Sequence, residues 1–152
     1  MGVRQDILDA LRNDFGDITV TNGYVNTIKR TVYTGKALRD LNEADLDFAY
    51  IFPLPEKQNM LEDAGMWTWS VGFAVYFATG GLDSDESGLI ETKAEAYIED
   101  IKAKFTSNAT HVYNVSQVES IMLETLDPYF NDETVNIGIV YGNFLITYIY
   151  QG

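Results

Sequence analysis

The chain has 152 residues, of which 46% are hydrophobic and 13% aromatic, and its formal net charge is −13. This content predicts a single domain over residues 1–152 with a sizeable core, and excludes a disordered chain. The lack of cysteine excludes disulfides and thiolate metal sites, and 23 acidic against 10 basic side chains disfavours phosphate binding. Because no apolar run reaches the roughly 18 residues of a membrane helix, we expect a soluble protein with no membrane contact.

The first elements are a helix and a long segment at 17–46 without clear periodicity, here called the excursion. Five apolar residues recur at helical spacing between Val3 and Phe15, and Gly16 is expected to end this helix. Residues 17–46 then predict an extended hairpin or arm, since the dipeptide Asn22-Gly23 favours a tight hairpin turn.

Two strands are predicted next. The apolar run at 48–53 predicts a strand covered on both faces, which we expect Pro53 and Pro55 to stop. The stretch MWTWSVGFAVYF at 66–77 alternates large apolar residues with smaller ones, so one face of that strand is bulky and the other small and smooth. The bulky face requires a core.

The second half of the chain predicts one helix and two final strands. Ile90, Ala94, Tyr97, Ile98, Ile101 and Phe105 form an amphipathic helical stripe. Strands follow near 116–126 and 136–150, separated by DPYFNDE. The whole pattern predicts an α+β fold in which an antiparallel or mixed sheet carries two helices on one face, in the order α-β-β-β-α-β-β.

The motifs that would indicate chemistry are incomplete. The acidic stretch from Asp83 resembles a calcium loop, but its twelfth position is Ala94 where a bidentate Glu is required. An acidic turn that caps the following helix is the favoured interpretation. His111 is the only histidine, which leaves no His pair for a metal. We therefore predict no catalytic, cofactor-binding or metal-binding residues and no enzymatic activity.

Two features instead indicate contacts between subunits. Four of the ten basic residues lie within eleven positions of the excursion, and they form either a solvated loop or a basic arm that docks on the acidic surface of a neighbouring subunit. The small face of the 66–77 strand has no third helix to cover it. The predicted interface residues are Lys29, Arg30, Lys36, Arg39, Thr68, Ser70, Gly72 and Ala74.

The element order and several stretches resemble the tail terminator, or tail-completion, proteins of long-tailed bacteriophages. The likeness is carried by VRQDILDALRNDF at 3–15, WTWSVGFAVYFAT at 67–79, AEAYIEDIKAKFTSN at 94–108 and FLITYIY at 144–150. It spans nearly the whole chain, although it consists of patterns and includes no catalytic signature.

The resemblance implies a structural virion protein of the tail or neck, assembled in the cytoplasm of the host bacterium. Such proteins form a ring, commonly a hexamer, which caps the tail tube and offers its other side to a head-completion or neck protein. DNA passes through the lumen without specific binding. Two alternatives stay open: a neck or head–tail connector protein, and a monomeric α+β domain that binds a small molecule in a pocket lined by Trp67 and Trp69.

Overall fold

The chain folds in the predicted order of elements. The structure is a computed structural model that describes residues 2–33, 47–58, 65–78, 86–106, 115–130 and 137–150. Its helices and strands are α1 (Val3–Gly16), β1 (Arg30–Tyr33), β2 (Phe48–Gln58), β3 (Met66–Ala78), α2 (Glu86–Thr106), β4 (Val118–Phe130) and β5 (Ile137–Ile149).

The strands form one mixed sheet of five strands in the spatial order β1-β2-β3-β5-β4. β2, β3, β5 and β4 pair antiparallel, whereas the short β1 is parallel to β2. The α+β prediction is therefore confirmed, and the long central pair β3–β5 is in continuous register from Met66 opposite Ile149 to Ala78 opposite Ile137.

Both helices pack on one face of this sheet, and the core lies between the two layers. Phe15 of α1 lies 5.2 Å from Phe73 of β3, and Phe105 of α2 lies 4.7 Å from Phe144 of β5, measured between ring centroids. The predicted bulky face of β3 supplies much of this core. Its buried members are Trp69, Val71, Phe73, Val75 and Phe77, each fully inaccessible to solvent.

The predicted hairpin at Asn22-Gly23 is wrong. Val20–Asn22 form one turn of 3-10 helix, and the Thr19 hydroxyl caps it by accepting a hydrogen bond from the Asn22 amide. Gly23 ends the turn with φ at +96°, a left-handed conformation that glycine tolerates well. The dipeptide does supply a turn residue, but the local Thr19 cap directs the chain into a helical turn with no strand on either side.

Two predicted strand ends are also wrong. β2 continues past Pro53 and Pro55 to Gln58, and β4 continues through Pro128 to Phe130. Proline is tolerated where a strand has no hydrogen-bonded neighbour on one side. β1 pairs with β2 only from Phe48 to Ile51, so in the described part of the chain the prolines of β2 lie beyond that pairing, next to a bulge. Among the described strands, β4 lies at an edge of the sheet.

Some predictions fall outside the described residues. The acidic loop from Asp83, the lone His111 and the part of the excursion that holds Lys36 and Arg39 belong to this group. Within the ranges that the structure describes, no helix is both long and apolar enough to cross a membrane.

Candidate functional site: the outer face of the sheet

The face of the sheet opposite the helices, here called the outer face, is centred on the small side chains of β3. Strand alternation places Thr68, Ser70, Gly72, Ala74 and Tyr76 on this face. No described helix packs there, because the core cluster that joins α1 and α2 to the sheet draws on the other face of β3.

Aromatic residues from β2 cover the small residues of β3. Phe52 lies opposite Gly72 in the register, and a Cβ at Gly72 would overlap the Phe52 ring. Tyr50 stacks on Phe52 with 5.5 Å between centroids, and Phe48 stacks on Tyr76 at 4.9 Å with an interplanar angle of 15°. The face that was expected to be smooth therefore carries aromatic rings. Gly72 has no side chain, and the Phe52 ring occupies the space that one would need.

The β5–β4 half of the outer face is more exposed. Tyr141 of β5, opposite Ala74, is 44% exposed, and Met122 of β4, opposite Leu145, is 52% exposed. Between them, Asn143 donates a hydrogen bond of 2.9 Å to the Glu124 carboxylate. The outer face thus combines exposed apolar side chains with an acidic rim.

The outer-face tyrosines lie close enough to influence one another. Burial raises the pKa of the Tyr76 hydroxyl above its ordinary value, and the neighbouring Tyr50 raises it further. The Tyr76 phenol is consequently a neutral donor and acceptor at neutral pH.

The structure separates the predicted interface residues. Thr68 and Ser70 are half-buried, whereas Gly72 and Ala74 are buried, Gly72 beneath the Phe52 ring. Lys29 is exposed and directly precedes β1, which begins at Arg30. Sequence reasoning missed the aromatic residues of β2, although the run FAYIF alternates large side chains in a way that identifies them once the strand pairing is known.

A buried polar cluster fixes the two ends of the excursion to α2. Asp100 is 4% exposed, and its carboxylate accepts hydrogen bonds from the backbone amides of Val25 and Asn26 at 3.0 and 2.9 Å. Asp47, at the other end, accepts a hydrogen bond from the Tyr97 hydroxyl. It also forms an ion pair with Lys93, whose Nζ lies 3.1 Å from the Asp47 Oδ2. Burial and the Asp47 carboxylate raise the pKa of Tyr97. These contacts connect α2 to both segments of chain, and the Asp47, Tyr97 and Asp100 side chains that make them are buried.

A small cavity of about 280 Å³ lies beside Trp67, between the start of α1 and the strands. Its carboxylate, Glu56, is already occupied: Tyr148 donates a hydrogen bond to it at 2.7 Å, and Arg4 lies 3.5 Å away. Burial and this hydrogen bond raise the pKa of Tyr148. Trp69 does not line the cavity, because it is fully buried with the Arg4 guanidinium 4.4 Å from its ring centroid.

The described residues indicate no metal site, and two comparisons with known proteins give no match. The described ranges contain no group of three or more His, Cys, Asp or Glu side chains placed to hold a metal ion. No protein-family model matches the chain, and a search of curated proteins found no match.

Proposed function

We propose that this protein is a tail terminator of a long-tailed bacteriophage. In this proposal copies of the chain form a ring, expected to be a hexamer, that caps the tail tube and joins it to a head-completion or neck protein. The activity is structural, and the residues that matter are those of surfaces between proteins.

The observation that carries the proposal is the outer face. A two-layer domain buries one face of its sheet against its helices, and a soluble monomer normally presents polar side chains on the other. Here the other face carries stacked aromatic rings together with exposed Tyr141 and Met122. Exposed apolar surface of this kind marks sites of protein contact, and ring assembly gives it a use.

Charge supports the same proposal. The net charge of −13 disfavours adhesion of DNA to the ring, so DNA that passes through the lumen meets a repulsive wall. A neck or head–tail connector ring would use the same acidic charge and the same exposed face. Only the protein that the ring binds distinguishes it from a tail terminator. The monomeric small-molecule domain loses support, because Trp69 is buried and Glu56 is already paired.

The test measures mass and tube capping together. Analytical ultracentrifugation and negative-stain electron microscopy of the chain, with and without tail tubes, should show a closed ring that binds a tube end and stops its growth. A strict monomer under every condition, or a ring that ignores tubes and binds only connectors, overturns the tail-terminator assignment.

A pair of variants identifies the role of the outer face. Met122→Ser combined with Tyr141→Ser removes apolar surface from the face. Val20→Ser combined with Val25→Ser is the matched control, because those valines are 61% and 68% exposed away from the sheet. Loss of ring mass only in the first variant indicates that the face joins subunits. An intact ring that no longer caps tubes indicates that it contacts the tube, and an unchanged ring and cap remove the outer face from the proposal.

A further inference from the structure

The two edges of the sheet differ in charge. β4 forms one edge and β1 the other. On β4 the side chains of Glu119, Glu124 and Asp127 are all exposed. No lysine or arginine follows Lys104 in the sequence, so nothing basic from the β4–β5 half of the chain offsets these carboxylates.

The β1 edge is basic. Lys29 is exposed immediately before the strand, and Arg30 is its first residue. The sequence places no acidic residue between Lys29 and Tyr33. Opposite charges therefore lie at opposite ends of one sheet.

Both edges also offer backbone groups to a partner strand. In the described part of the chain, β4 pairs only with β5 and β1 only with β2, which leaves one side of each strand without a strand neighbour. Bulges interrupt β4 between Val118 and Ser120 and between Leu123 and Thr125, which leaves two regular stretches, Ser120–Leu123 and Thr125–Phe130. Each is at least as long as the four residues of β1. Bulges and charges prevent indiscriminate pairing of an edge, and here exposed carboxylates lie beside or within both stretches.

We propose that the β4 edge of one subunit binds the β1 edge of a second copy, so that the sheet continues from subunit to subunit. This inference rests on the ring proposed above and names its contact. The acidic β4 edge repels another β4 edge and attracts the basic β1 edge, which selects a heterologous contact over a two-fold one. Main-chain hydrogen bonds hold the two strands, and the charges set their orientation.

The first test reverses the charges. Lys29→Glu and Asp127→Lys should each weaken association on the order of tenfold, since each places like charges at the contact. Lys102→Glu and Glu95→Lys make the same charge changes at exposed positions of α2 and should leave association unchanged. Melting temperatures of all four variants, measured on the isolated subunits, separate lost assembly from lost folding.

Mixing the two defective variants gives the sharpest result. In a ring that alternates Lys29→Glu and Asp127→Lys subunits, every contact pairs an acidic side with a basic side again, so the mass of the ring should return. Recovery on mixing is expected only for a contact between these two edges. Weakening by the α2 controls to the same extent, or no recovery, overturns the inference.

Hydrogen–deuterium exchange separates this inference from the proposed function. Amides of Val118–Phe130 should exchange more slowly in the assembled protein than in the monomer, while those of α2 do not change. A ring whose β4 amides exchange as fast as those of the monomer overturns the edge contact and leaves the tail-terminator proposal standing. A chain that never assembles overturns both.

Discussion

β3, a strand of 13 residues, has two faces with different roles: one is buried against the helices, and the other faces away from them. On the inner face β3 supplies large side chains itself, and those from Trp69 to Phe77 are fully buried against the helices. On the outer face its side chains are small apart from Tyr76, and the Phe52 ring of β2 lies over Gly72. Burial on one face holds the domain together. The outer face keeps exposed apolar side chains, Tyr141 and Met122 among them, and a protein contact can bury these.

The largest expected difference between the faces is in stability. Phe73→Ala should lower the free energy of unfolding by about 3–5 kcal/mol, because it empties a fully buried position that contacts the rings of Phe15 and Phe144. Tyr141→Ala on the outer face should cost about 0.5 kcal/mol or less in the monomer. Urea denaturation of the two variants measures the contrast. Similar losses at both positions would mean that the outer face is also part of the monomer's core.

A smaller effect distinguishes how the two faces accommodate an added methyl group. Gly142→Ala should destabilise the fold by about 1–3 kcal/mol, because its Cβ would overlap the backbone carbonyl of Thr125 as well as contact Phe73. Gly72→Ala should cost less, since the Phe52 ring that it displaces is half-buried and can rotate outward. Gly16→Ala, with no heavy atom within 4 Å of its Cβ, is the control. A larger loss at Gly72 than at Gly142 would show that the aromatic cover is as rigid as the backbone.

The smallest effect concerns alkaline pH. The pKa of Tyr97 is raised above the ordinary tyrosine value of 10, by burial and by Asp47, so the folded state favours the neutral phenol. Its contribution to stability is complete below pH 10 and is lost as the pH rises towards the folded pKa. The melting temperature should therefore fall above pH 10. The fall should be shallower in Tyr97→Phe, which is also less stable at neutral pH because Asp47 loses a donor.

Tyr141→Phe, on the opposite face of the sheet from Tyr97, is the control for this measurement. It should reproduce the wild-type slope of melting temperature against pH. An equally steep fall in Tyr97→Phe would assign the alkaline transition to other groups, of which Tyr148 is the first to consider because its pKa is also raised.

The elements that the sequence predicted well are those whose periodicity spans several turns or many strand positions. α1, α2 and β3 are the examples, and the buried residues Ala94, Tyr97 and Ile101 lie on the predicted stripe of α2. The errors are local. Asn22-Gly23 favours a hairpin only where two strands flank it, and proline ends a strand only where a neighbour requires its missing amide. Both conditions depend on partners that are distant in sequence.

The sequence by itself determined the α+β order, the acidic surface and the division of β3 into a bulky and a small face, because all three depend on residue type and spacing. Only the tertiary structure decided what lies against the small face, since the register of β2 places Phe52 over Gly72 across an intervening stretch of chain. It also decided which strands are edges. Strand order follows from how the hydrophobic faces pack together, and it places the acidic β4 and the basic start of β1 at opposite ends of one sheet.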